Sequence, residues 1–163
     1  MFEKGELMKV LVVYYSRTGV TKKVGENISF WLRAKREEII DAVNRKGLLG
    51  YLKARRDASL KRLTKIFVKE YNPKDFNMII IGTPIWSKTL PPAIRTYIEQ
   101  NKDVLKEKEL GFFCTMGNNG DKKVFEEMEQ LIGRKPRATL VLKTKDVVQS
   151  NYEHAIREFV NKL

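Results

Sequence analysis

Three short stretches hold the residues whose types and spacing could do chemistry. The first is Ser16, Arg17, Thr18, Gly19, Val20 and Thr21, which follows an apolar run and precedes a helical pattern. It offers three hydroxyls and a series of backbone N–H groups opened by Gly19. A helix N-terminus carries partial positive charge and unpaired donors, so this loop suits a phosphate. Arg17 either neutralises a dianion there or lies in solvent. The loop lacks the Gly-Lys-Ser/Thr ending of a nucleoside-triphosphate loop, and Gly19 and Gly25 alone do not make Gly-x-Gly-x-x-Gly. An ordinary capped turn uses the same residue types.

The second stretch is Thr83, Pro84, Ile85, Trp86 and Ser87. Trp86 falls two residues past Pro84, beyond the expected strand end, so the indole is expected to be exposed as a stacking surface. A tryptophan that covers the start of the next helix is the alternative. The third is Thr115, Met116, Gly117, Asn118, Asn119 and Gly120. Its glycines allow positive φ and close backbone approach, and its amides suit the edge of a planar ring. A plain strand-to-helix turn favours the same residues. No carboxylate pair, catalytic cysteine or Ser-His-Asp set is evident. With one cysteine, Cys114, and one histidine, His154, neither an internal disulfide nor a zinc site of the usual ligand count is expected. Cys114 reads as a core residue and His154 as a surface one.

The elements that must position these loops alternate. Residues 8–15 form an unbroken apolar run, which predicts a strand buried on both faces. Val24, Ile28 and Leu32 give a helix over 21–34, and a short strand is expected around 35–40. Leu49, Leu52, Leu60, Leu63 and Phe67 recur at helical spacing and predict one or two basic amphipathic helices over 45–67. After a turn at 72–75, a second buried strand runs up to Gly82 and Pro84. Pro91 and Pro92 open a helix; a strand over 109–116, a helix ended by Gly133 and a strand over 138–143 follow. Ser150 and Glu153 predict a capping box for the last helix. Five strand–helix repeats with right-handed crossovers require a parallel sheet covered on both faces. Its strand C-termini share one edge, and ligands bind there, where the strand order reverses. All three loops lie at that edge. A phosphate site, an aromatic plane and a polar rim together suit a mononucleotide with a large flat ring, such as flavin mononucleotide (FMN).

The segments VLVVYYSRTGVTKKVGENI, IIIGTPIWSKTLPPAIRTYIE and FFCTMGNNGDKKVFEEME resemble the signature regions of the flavodoxin-like flavoproteins, a group that includes flavodoxins and NAD(P)H:quinone oxidoreductase-like proteins. The resemblance runs from about Met8 to the C-terminus. It implies an α/β fold: a flavodoxin-like, doubly wound three-layer sandwich with a five-stranded parallel sheet in the order 2-1-3-4-5. Flavodoxin is itself the standing example of a ligand at the switch between the first and third strands. The resemblance assigns Ser16 to Thr21 to the phosphate, Thr83 to Ser87 to one side of the flavin and Thr115 to Gly120 to its pyrimidine side. Residues 1–7 are then a short extension and 8–163 a single domain.

The chain departs from that pattern in three ways. The third loop has no aromatic residue to stack on a flavin. The family often has a glycine beside the central ring, whereas here the neighbours are Trp86, Ser87 and Lys88, which take up positive φ less readily. The charge is +12, where small electron carriers are typically acidic. Lys88, Lys122 and Lys123 flank the expected site with Asp121 as the one acid nearby in sequence. Positive charge favours an anionic reduced flavin, which draws the two one-electron steps together.

Residues 44–69 hold nine Lys/Arg against one acid, Asp57. The expectation is a solvated basic face with its leucines turned to the sheet. An acidic redox partner, or the phosphate of a nicotinamide cofactor, are the other uses of that charge. Nucleic acid is not expected, because Tyr51 is the one stacking residue among the charges before Phe67. No apolar run reaches membrane-spanning length, and a reducing, cytoplasmic setting is expected. The sequence therefore predicts FMN-based electron transfer or oxidoreduction with a redox partner protein, NAD(P)H or a quinone. The alternative is a flavin-free relative that binds an acidic partner through residues 44–69.

Overall fold

The apolar runs become strands buried on both faces. The computed structural model describes residues 8–68 and 70–163; the expected extension over 1–7 lies outside the described residues, as does Lys69. β1 (Val10–Tyr14) is buried at every position. It leads into α1 (Val20–Leu32), whose Val24 and Ile28 pack on the sheet. β2 (Lys35–Glu38) is a short, charged edge strand, which suits an edge that must not recruit another chain. Next come β3 (Ile40–Asp41), α2 (Gly47–Ser59) and β4 (Ile66–Phe67). β3 and β4 pair antiparallel into a small ribbon outside the main sheet.

β5 (Met78–Pro84), α3 (Pro92–Leu105), β6 (Glu109–Met116) and α4 (Asp121–Ile132) form the middle of the domain. β7 (Ala138–Lys143), α5 (Thr144–Val148) and α6 (Glu153–Asn161) complete it. The main sheet has the order β2-β1-β5-β6-β7 and is parallel throughout. Counting only its five strands, this is the order 2-1-3-4-5. Its register sets Leu11 beside Ile79, Ile81 beside Phe112 and Cys114 beside Val141. One face of the sheet packs with Ile94 and Ile98 of α3 and Val124 and Met128 of α4. The other packs with Val24 and Ile28 of α1 and Ile156 and Phe159 of α6. Two glycines lie against aromatic rings: a Cβ on Gly82, the register partner of Phe113, would lie 1.9 Å from Phe113 Cζ, and one on Gly25 of α1 would lie 2.5 Å from Tyr14 Cδ1.

Three local expectations change. The basic segment forms one helix, α2, which ends at Ser59, and its leucines turn out: Leu48, Leu49 and Leu52 on the helix and Leu60 and Leu63 after it are all exposed. Its inner face is Gly50, Ala54, Asp57 and Ala58. Small side chains let this helix lie close, and a Cβ on Gly50 would sit 2.4 Å from the Arg45 carbonyl carbon. The capping box at Ser150 and Glu153 does not form, because Ser150 has φ 59° and its hydroxyl accepts from Lys23 Nζ at 3.0 Å. Tyr152 stands at the N-cap of α6 without a side-chain cap bond. A five-residue helix, α5, fills the interval after β7.

Candidate functional site

The loop after β1 ends in Gly19, the N-cap of α1, with φ 91°. That left-handed backbone is open to glycine at little steric cost. No side chain caps α1 and its first turn holds no acid. The positive end of the helix is therefore open to an anion. The Gly19 amide donates to Ser16 Oγ at 3.1 Å, which folds the loop back on itself. Ser16 and Val20 are half-buried and Thr18 is exposed at the rim. Thr21 is buried, and its hydroxyl pairs with that of Thr115 at 2.7 Å. One of the three hydroxyls is thus already shared with the loop after β6. Arg17 turns away toward α2. Its guanidinium lies 5.2 Å over the Tyr51 ring, and Nη1 donates to the Arg45 carbonyl at 3.4 Å.

The loop after β5 corrects two expectations. Trp86 is not exposed: only 8% of it meets solvent. Its ring stands edge-on to Tyr15, with centroids 5.5 Å apart and planes at 81°. Burial pushes the Tyr15 phenol up to about 12, and Asp41 adds to the effect. The chain reverses immediately after Trp86, so the indole folds back over the sheet edge. Trp86 and Thr89 exchange backbone bonds of 3.2 and 3.0 Å across Ser87 and Lys88. Ser87 and Lys88 both sit in the left-handed region, at φ 51° and 58°. Two successive positive φ values match a tight hairpin turn of the primed type. Positive φ, which these residues take up less readily than glycine, is thus realised here, with the closing bonds at Trp86 and Thr89 holding them there.

Thr83 is buried and its hydroxyl donates to the Pro84 carbonyl at 2.8 Å. The Ile85 amide donates to the Thr115 carbonyl at 3.1 Å, joining this loop to the next. A clamp from α4 fixes the far side. Glu127 Oε2 accepts from the Thr89 hydroxyl at 2.6 Å and from the Leu90 amide at 3.3 Å, while Oε1 pairs with the buried Arg95. Burial pushes the Glu127 carboxyl up, but the bonds from Thr89 and Arg95 and the arginine charge outweigh it. The carboxyl ends below its ordinary value.

The loop after β6 presents Gly117, Asn118 and Asn119 to solvent, with Met116 buried beneath. Gly120 caps α4 at φ 113°. A Cβ there would lie 3.0 Å from Lys88 Cα and 3.1 Å from Ile85 Cγ2, so the contact between these two loops depends on glycine. Between them opens a cleft of about 290 Å³, walled by Ile85 to Lys88 on one side and Met116 to Asn119 on the other. The third wall is Tyr51 and Arg55 of α2. Ser16 and Arg17 open instead onto a neighbouring cleft of about 210 Å³ with Asp41 and Arg45. A run of side-chain contacts links the residues of the two. Arg17 and Arg55 both lie over the Tyr51 ring, at 5.2 and 5.7 Å, and Arg55 Nε donates to Ser87 Oγ at 3.3 Å.

The sequence reading missed Tyr51 and Arg55 as site residues. The one available signal was an aromatic residue alone among the cations of residues 44–69. Arg45 is structural: Nε donates to Asp41 Oδ2 at 2.6 Å and Nη1 to Asp57 Oδ2 at 2.9 Å, all three side chains buried. Burial pushes Asp57 up, but the Arg45 hydrogen bond and charge outweigh it and hold the carboxyl below its ordinary value. Lys122 and Lys123 are exposed in the first turn of α4, so the cations at the cleft itself are Arg55 and Lys88. Cys114 is buried, and burial pushes its thiol up to about 12, which removes it as a nucleophile. His154 is exposed. Among the described residues, no group of three or more His, Cys, Asp or Glu could hold a metal ion. No helix among them is long and apolar enough to cross a membrane.

Solved structures share this architecture. A candidate flavoprotein from Bacteroides eggerthii superposes with a TM-score of 0.71 at 24% identity, covering 87% of this chain and 94% of its own. A flavoprotein from Lactobacillus acidophilus, solved in complex with FMN, gives 0.65 at 20% identity over 88% and 97%. A flavodoxin, WrbA-like protein from Agrobacterium tumefaciens gives 0.56 at 17% identity over 94% and 96%. At these identities the likeness is one of fold. Comparison with curated protein sequences returns no match. The family model described as flavodoxin domain matches residues 48–163, which include the loops after β5 and β6. With that model spanning most of its length, the chain belongs to the flavodoxin domain family.

Proposed function

We propose that this chain binds FMN at the C-terminal edge of its sheet and works as a redox flavoprotein. One observation carries the reading. The uncapped, acid-free start of α1 lies at the same sheet edge as a cleft walled by two glycine-containing loops. The residues fit the cofactor. Ser16, Thr18 and the amides after Gly19 would hold the phosphate, with Thr21 beneath them. Thr83 to Ser87 and Thr115 to Gly120 would border the ring. The complex of the Lactobacillus acidophilus flavoprotein with FMN supports the same choice of ligand. FMN supplies the electron chemistry; the protein supplies position and field. Arg55 and Lys88 bring positive charge to the cleft between these two loops, which no carboxylate lines, whereas Glu38 and Asp41 line the neighbouring cleft at Ser16 and Arg17. That field favours negative charge on whatever the cleft holds.

The test compares FMN with riboflavin, which lacks the phosphate, by fluorescence quenching on cofactor-free protein. The wild-type chain should prefer FMN strongly. Ser16→Ala/Thr18→Ala should lose most of that preference while keeping its affinity for riboflavin. A chain that binds neither ligand refutes the proposal. Stopped-flow mixing of the FMN-loaded protein with NADH and NADPH then separates a reductase from an electron carrier. If neither nucleotide bleaches the flavin, the carrier reading stands. Quinone reoxidation of the reduced protein identifies the acceptor class.

A further inference from the structure

The helix α2 is built the wrong way round for a helix that merely covers a sheet. Its fixed face is Gly50, Ala54, Asp57 and Ala58, and its large apolar side chains point to solvent. Leu48 is 75% exposed, Leu49 82% and Leu52 54%. Leu52 lies four residues from Leu48 and three from Leu49, spacings that make neighbours on a helix surface, so these three form one ridge. Leu60 and Leu63, at 56% and 60%, extend the exposed apolar surface past the end of the helix. Lys46, Lys53, Arg55, Arg56, Lys61 and Arg62 border it, all exposed. The one carboxylate in the segment, Asp57, is buried and bonded to Arg45; it also lies 3.2 Å from Arg62 and 3.8 Å from Arg56, and Lys61 lies 3.7 Å from the largely buried Glu127. An exposed leucine ridge thus stands inside a border of cations with no exposed acid.

We propose that this face docks on an anionic phospholipid surface. Charge and shape both select that occupant. A second copy of the chain would bring two all-positive borders together, which costs rather than stabilises. A protein groove would need carboxylates fixed around a matching hollow, whereas a bilayer receives a convex apolar ridge without shape matching. Helices with leucines on one side and Lys/Arg around them lie in the headgroup layer, where the cations reach the phosphates. Long Lys and Arg stems can lie along the apolar layer while their charges stay at the headgroups. Tyr51 and Arg55 stand on the adjoining side of the same helix and line the cleft described above. A docked α2 therefore holds that cleft next to the lipid. The docking itself does not depend on what the cleft binds.

The experiment is flotation of the full-length chain with vesicles of phosphatidylcholine alone and of phosphatidylcholine mixed with phosphatidylglycerol. The wild-type chain should float with the mixed vesicles and little with the neutral ones. Leu48→Gln/Leu49→Gln/Leu52→Gln should weaken binding at least about tenfold. Lys53→Gln/Arg56→Gln should weaken it about 25-fold, from roughly fivefold per cation near an anionic surface. These side chains make little packing contact, so circular dichroism and thermal melting should match the wild type. Failure to float with the mixed vesicles overturns the proposal, as it would if the occupant were an acidic protein. Equal flotation of the leucine variant also overturns it, because charge alone would then explain binding. So does a dimer in size exclusion that the leucine variant converts to monomer.

Discussion

Replacing Glu127 by alanine should strip the clamp from the loop between β5 and α3. The carboxylate holds that loop by the Thr89 hydroxyl and the Leu90 amide, and it neutralises Arg95. Arg95 is 5% exposed, and its Nε already has no partner among the described residues. Glu127→Ala leaves this guanidinium buried and unpaired, which costs about 3–5 kcal/mol. Against a typical total stability of about 5–15 kcal/mol that is a large fraction. At roughly 2–4 °C per kcal/mol for a chain of this size, the melting midpoint should fall by about 6–20 °C. Glu127→Gln keeps an oxygen for Thr89 and should fall between. The pH dependence supplies an independent check. The folded carboxyl lies below its ordinary 4.5. Its stabilisation is therefore full above that pH and is lost as pH falls through the folded value. Glu127→Gln should lack this part of the acid slope. Urea melts of the three proteins across the acid range decide the matter. A Glu127→Ala midpoint within about 1 kcal/mol of wild type, or an unchanged acid slope in Glu127→Gln, refutes the clamp.

Three further outcomes are expected. Ser87→Asn/Lys88→Gly gives the hairpin turn the residues that its two positive φ values favour, and should raise stability by about 0.5–1 kcal/mol in urea. Thr21→Val and Thr115→Val should each cost about 1–2 kcal/mol by stranding the other buried hydroxyl. The double variant should recover much of that loss, and a double-mutant cycle showing simple additivity would rule out the pair. Gly25→Ala forces a methyl into the Tyr14 ring and should cost about 1–3 kcal/mol, read as a lower thermal midpoint.

The sheet was legible because its strands carry unbroken apolar runs: Val10 to Tyr14 and Met78 to Ile81 are buried without exception. Strand–helix alternation then brought the three loops to one edge. What escaped depends on contacts between residues far apart in sequence. Trp86 looked exposed by its distance from Pro84, but the turn at Ser87 and Lys88 folds it onto Tyr15. Leu49 and Leu52 looked inward because leucines normally are. The competing four-residue pattern Gly50, Ala54, Ala58 decides the face, and Asp57 can join it only because Arg45 pairs with it. Ser150 lost its capping role to Lys23, a residue 127 positions away.

The small-residue seam under α2 also governs when that helix lets go. Glycine and alanine contribute little apolar burial, at about 0.8 kcal/mol per CH₂ equivalent. The attachment therefore rests largely on the buried Asp41–Arg45–Asp57 set. Parts held by few apolar contacts open before the rest of a domain. Hydrogen-exchange protection in α2 should be lower than in β1 or β5, and lower still in acid, where Asp57 takes up a proton. Each opening carries Tyr51 and Arg55 away from the cleft. The cleft thus has two walls with the lifetime of the sheet and a third with a shorter lifetime of its own.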